Sequence, residues 1–142
     1  MGLNEDLLVD LIGGIYEAAT LPSQWPQVLE AVSDQLAGAA ILTGVQRLPE
    51  GIPLAMFARL DPQAVQAFQR DFGQVAGNMA GRMMCQEPGT LATREELIDR
   101  GTYHRSPLYG DLFRHYDIDE FALTTLVRNS EYMVPFWVSR PT

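Results

Sequence analysis

An α+β domain built on a five-stranded antiparallel sheet, with helices packed on it, is the expectation, and three observations carry it. Alternating apolar residues form two pairs of strands, Ala40 to Arg47 with Ile52 to Arg59 and Phe121 to Arg128 with Tyr132 to Ser139. Turn residues separate the members of each pair, Pro49-Glu50-Gly51 in the first and Asn129-Ser130-Glu131 in the second. Apolar stripes at helical spacing precede the first hairpin and occupy the interval between the two. The last hairpin is apolar on both sides, with Tyr132, Val134, Phe136 and Val138 on one and Met133 and Trp137 on the other. Such a sheet needs cover on both faces, from the first two helices on one side and the middle helices on the other.

The first helix is expected from about Asn4 to Ala19. Asn4 stands at the cap position, Glu5 and Asp6 suit the positive end of the helix dipole, and Leu8, Leu11, Ile12, Ile15 and Ala19 recur at helical spacing. Gly13 and Gly14 each cost roughly 1 kcal/mol relative to alanine, which points to close packing against another helix. A second helix is expected from Ser23, read as its cap, to Leu36, with Pro26 in the first turn and Trp25, Val28, Leu29 and Val32 in its stripe. Gly38 stops it. After the first hairpin, Asp61-Pro62 opens a third helix whose buried face carries Val65, Phe68 and Phe72. From Gly73 to Gly89 the pattern loosens into a broken helix or lid-like loop, with Gly77, Gly81 and Pro88 among Met79, Met83 and Met84. A short strand near Thr90 to Ala92, a short helix from Arg94 to Asp99 and a helix from Pro107 to His115 lead into the second hairpin.

A length of 142 residues suits one domain, in which roughly 70 % of the unfolded surface becomes buried. No apolar run approaches the ~20 residues that span a bilayer, and the acidic opening MGLNEDLLVD lacks the basic start of a secretory leader. Cys85 has no second cysteine to pair with, so a cytoplasmic protein is expected. The net charge is −8, and the ten basic residues are all arginines scattered along the chain. Phosphate backbones and anionic lipid heads are bound by clustered positive charge, so neither nucleic acid nor membrane is an expected direct partner.

Three stretches resemble one bacterial family. Leu11 to Leu36 (LIGGIYEAATLPSQWPQVLEAVSDQL), Leu60 to Phe72 (LDPQAVQAFQRDF) and Ser106 to Ile118 (SPLYGDLFRHYDI) are similar, in that order, to the N-terminal sensory region of LuxR-type transcriptional regulators. The resemblance implies a single PAS-like or GAF-like sensory domain over residues 1–142. It also implies a helix-turn-helix output domain that this chain does not contain, and a homodimer whose geometry a ligand controls. Quorum sensors of the wider family hold an acyl-homoserine lactone with a Trp, a Tyr and an Asp. Between Pro62 and Met84 this chain has neither Trp nor Tyr and only Asp71 as an acid, so recognition of that signal does not carry over.

The candidate site is an apolar pocket between the sheet and the middle helices. Phe57, Phe68, Phe72, Met79 and Met83 would supply one part of its wall, and Tyr109, Phe113 and Trp137 the other. Thr124 is the expected polar contact, with Thr43, Thr125, Tyr103 and Tyr109 as further donors. The same side chains would equally serve as plain core, and in that case the domain is a ligand-free dimerisation module using the first helix, with Leu7 and Tyr16 widening its stripe. His104 and His115 allow a third reading, a haem-based sensor, although their spacing matches no metal motif. Asp117, Asp119 and Glu120 read as a solvated turn. No nucleophile elbow or phosphate-cradling loop is present, so no catalytic residue, metal ligand or cofactor is expected, and the chain is not expected to be an enzyme.

Overall fold

The structure is a computed structural model that describes residues 5–47, 51–75, 78, 82 and 86–139. Asn4, Met79 and Met83 lie outside the described residues. Helix α1 spans Glu5–Thr20 and α2 spans Trp25–Gln35. They pack together where Gly14 meets Val28, close enough that an added methyl would sit 3.4 Å from the valine side chain. Ser23 does not cap α2; it lies inside a 3₁₀ turn, Pro22–Gln24, and α2 starts after it without a side-chain cap. Pro26 has no N–H to return to the Pro22 carbonyl, so the N–H of Trp25 closes a tighter turn on Pro22 and the helix restarts.

Five antiparallel strands follow, in the order β2-β1-β5-β4-β3. They are β1 (Ala40–Arg47), β2 (Gly51–Ala58), β3 (Ala92–Thr93), β4 (Phe121–Arg128) and β5 (Tyr132–Ser139). Leu42 pairs with Phe57 and Trp137, and Trp137 pairs with Leu123, so these side chains share one face. Ile41, Ala58, Phe136 and Val138 share the other, where Leu29 of α2 packs on them. The helical cover is therefore two-sided, as the doubly apolar last hairpin requires.

Proline at a central strand position is uncommon because it cannot donate to the ladder. Pro135 nevertheless sits in β5 between β1 and β4. Pairing between β1 and β5 runs to Thr43 with Phe136 and resumes at Gln46 with Met133, leaving a gap opposite Pro135. The Thr43 hydroxyl crosses that gap and donates to the Pro135 carbonyl at 2.6 Å. Gly44, across from it, has φ of +150°, and a Cβ there would collide with the Leu54 carbonyl of β2.

The middle of the chain builds the cover over the Trp137 face. Helix α3 (Pro62–Asp71) begins as expected, with the Asp61 carboxylate accepting from the Gln63 N–H at 2.8 Å. The next strand is β3, later and shorter than expected, because Thr93 doubles as the cap of α4 (Arg94–Leu97) in a capping box with Glu96. The expected short helix ends at Leu97, ahead of Asp99, and a further helix that was not expected follows, α5 (Arg100–His104), capped by the Asp99 carboxylate accepting from the Thr102 N–H. The expected helix from Pro107 to His115 is a π-helical segment, Leu108–Leu112, running into a 3₁₀ turn, Phe113–Tyr116. Gly110 weakens regular α-helix there.

One buried cation ties these short elements together. Arg94 is 2 % exposed; it donates to the Ile98 carbonyl at 2.7 Å and to Glu120 at 2.6 Å. Its guanidinium carbon lies 5.5 Å from the ring centre of Tyr103, whose hydroxyl donates to the Ile118 carbonyl at 2.7 Å. Asp119 accepts from Arg100 at 2.9 Å, so the 117–120 stretch is an anchored connection, not merely a solvated turn. Substituting Gly44→Ala is expected to destabilise the fold by roughly 2 kcal/mol or more, since both the backbone angle and the Leu54 carbonyl oppose a methyl. Chemical denaturation of the two proteins side by side measures it.

Candidate functional site

Period-two alternation turns Leu42 and Gln46 of β1 toward the same side as Pro135 and Trp137 of β5 and Leu123 of β4. Opposite them stands α3, which presents Ala64, Val65 and Phe68, with Leu60 just before it. Phe113 and Ile118 close the remaining side. Between these walls is a cavity of about 50 Å³. A water molecule occupies roughly 30 Å³ of liquid, so the space exceeds one water but is far smaller than an ordinary ligand pocket.

Among the described residues of that wall, Gln46 is the only one with a side-chain amide, and the Trp137 indole brings the one other polar atom. It is 3 % exposed, and its Nε2 has no hydrogen-bond partner. Leaving a buried amide donor unpaired costs about 1–3 kcal/mol. Gln46 lies where the register of β1 against β2 shifts, between Val45 and Arg47, an irregularity of the kind that re-aims side chains. Among the described residues the wall offers no acid, base or nucleophile; its chemistry is apolar contact with a single amide beside it.

The structure brings together three of the residues singled out from sequence, Phe68, Phe113 and Trp137, all in the cavity wall. Phe68 and Phe113 stack at 5.9 Å, and Phe113 lies 6.0 Å from Trp137. Phe72 is one layer further out, stacked on Phe68 at 6.5 Å, and Phe57 packs against the same core without lining the space. Tyr109 packs on the same core without lining the space, 5.0 Å from Tyr103 and 4.4 Å from the His104 ring, and is joined to Trp137 through Tyr103 and Phe121. Thr124 faces the other side of the sheet from Leu123, and its hydroxyl donates to the Thr90 carbonyl at 2.8 Å. Met79 and Met83 fall outside the described residues.

Among the other donors considered, Thr43 and Tyr103 spend their hydroxyls on carbonyls, while the Thr125 hydroxyl is buried without a partner. Gln46 was not anticipated. The available signal was its parity, since Leu42 and Gln46 lie four residues apart on one strand and must face the same way.

The histidine readings also gain a geometry. His104 Nε2 lies 2.6 Å from Asp119, and this hydrogen bond is the main reason the Asp119 carboxyl is held below its ordinary range. His115 is exposed within the 3₁₀ turn. Among the described residues, no group of three or more His, Cys, Asp or Glu side chains is placed to hold a metal ion. No helix of the described chain is long and apolar enough to cross a membrane.

No protein-family model matches the chain, and no curated protein matches it. Among solved structures it is similar to the crystal structure of the VqsR LBD domain from Pseudomonas aeruginosa, with a TM-score of 0.61 and 18 % identity. The likeness covers 95 % of this chain and 80 % of that one. At this identity it bears on the fold, and it agrees with the five-stranded α+β architecture.

Replacing Gln46 by methionine, close to it in shape, removes the unpaired donor. Gln46→Met is expected to stabilise the unliganded protein by about 1 kcal/mol, seen as a higher thermal midpoint. A lower midpoint would mean that the amide is satisfied in solution.

Proposed function

We propose that this chain is the sensory domain of a LuxR-type transcriptional regulator. In this reading it receives a small, mainly apolar molecule between the sheet and α3, and passes the change to an attached DNA-binding domain in the cytoplasm. The observation that carries the reading is the cavity itself, apolar on every wall but one and sited where sheet and helix meet. The resemblance of Leu11–Leu36, Leu60–Phe72 and Ser106–Ile118 to that family supports it, and so does the fold shared with a domain titled as an LBD. A net charge of −8 with dispersed arginines fits a domain that leaves DNA contact to another part of the protein.

At about 50 Å³ the space is smaller than a guest of ordinary size. A guest of ordinary size binds a more open conformation, and the domain responds only to the extent that the guest prefers that conformation. This is how binding becomes a signal. A preformed, rigid pocket would bind without changing anything.

A second reading rests on α1. Val9, Ile12 and Tyr16 fall on one face of the helix at three- and four-residue intervals, all exposed, and Ile15 beside them is exposed as well. A contiguous apolar helix face of this kind fits a contact between two copies of the domain. The two readings combine in a dimer whose geometry the ligand adjusts.

Xenon enters dry apolar cavities and is the first probe. Under xenon pressure the methyl resonances of Leu42, Val65 and Leu123 are expected to shift, and Ala64→Leu, which fills the space from α3, is expected to abolish the shifts. Unmoved methyls in the wild-type protein would remove the basis for a ligand site. For the dimer, sedimentation at micromolar concentration is expected to give two copies, and Ile12→Glu to give one. A wild-type monomer would end that reading.

A further inference from the structure

Native interiors pair more than nine buried polar groups in ten, so an exception calls for a physical reason. We propose that Gln46 selects the guest: the cavity takes a neutral molecule, apolar over most of its surface, that carries one carbonyl-type acceptor, and the Gln46 amide donates to that acceptor. The inference rests on the cavity being the ligand site.

Position, charge and size support it together. Gln46 is 3 % exposed, lines the cavity, and keeps its Nε2 free of any partner. The ladder of β1 against β2 is irregular around Gln46, whose side chain is part of the cavity lining. Among the described residues, the walls around it hold no cation and no carboxylate. An anionic guest would lose its hydration and gain a single amide dipole, and an ammonium would find no negative charge, so ions of either sign are rejected. A resident water is a poor substitute. Buried waters usually take two to four hydrogen bonds, and here, among the described residues, the Trp137 indole is the one polar group beside Gln46. A carbonyl, by contrast, needs only one donor, while its carbon skeleton meets Trp137, Leu42 and Phe68.

The test uses two probes of one shape, cyclopentanone and methylenecyclopentane, which differ only in an oxygen replaced by CH₂. Each is titrated into the intact chain and into Gln46→Met, with methyl and side-chain amide resonances followed by NMR. Each probe is compared across the two proteins, so the hydration of the ketone cancels. Cyclopentanone is expected to move the Gln46 amide protons and to bind the wild-type protein roughly fivefold to tenfold more tightly than the variant. Methylenecyclopentane is expected to bind both equally, which also shows that the variant is folded. Equal cyclopentanone affinity for both proteins overturns the role of Gln46 and leaves the cavity standing. A water still bonded to the amide at saturating ketone does the same. If neither probe binds either protein, the ligand site itself fails and the inference falls with it.

Discussion

Strand β5 lies between β1 and β4 with Met133, Pro135 and Trp137 turned to one side and Val134, Phe136 and Val138 to the other, so water can be left on neither face. Burying side chains of this size contributes roughly 1.5–3 kcal/mol each, which makes a cover on both sides the largest favourable consequence of folding. The rest of the architecture follows from that requirement. Helix α2 covers the β1–β2 part of the Phe136 side with a compact cluster around Leu29, Ile41 and Ala58, while Phe136 and Val138 stay half-buried. The Trp137 side is wider and takes α3, α4, α5 and the two irregular turns before β4.

The two ends of that wider side are built differently. Near β3 the packing is dense with aromatic contacts, Tyr103 on Phe121 at 5.9 Å and Phe121 on Trp137 at 5.7 Å, and Arg94 locks the backbone of the adjoining turns. Burying the Arg94 charge is tolerable because Glu120, the Ile98 carbonyl and the Tyr103 ring all face it. Near Gln46 the packing gives way to the cavity and an unpaired amide. A responsive element belongs at the second end, where displacement disturbs few polar contacts. The first end serves as its fixed reference.

Much of the fold was legible because the informative residues were unambiguous. The bounds of β1, β4 and β5 follow from apolar alternation broken by turn residues, and the start of α3 from Asp61-Pro62. Errors came where one residue serves two elements. Thr93 ends a strand and caps a helix, Asp99 caps a helix that no apolar stripe announced, and Ser23 lost its capping role to the prolines around it. In the site, Phe68, Phe113 and Trp137 stood out as large aromatics of inward parity. Thr124 and Thr125 are adjacent, so only one can face the cavity side, and composition cannot choose between them. Gln46 was hidden by its type, since a glutamine in a strand ordinarily marks the wet face.

Pro135 leaves a seam in the sheet. The ladder between β1 and β5 is interrupted opposite Gly44, and one side-chain hydroxyl spans the break. Strands joined by fewer backbone bonds separate locally at a lower free-energy cost, so opening motions concentrate there. The seam runs beside Gln46 and under the Pro135 ring, both part of the cavity wall. Local separation of β1–β2 from β5–β4–β3 is therefore expected along that line, at the edge of the cavity and away from the aromatic end.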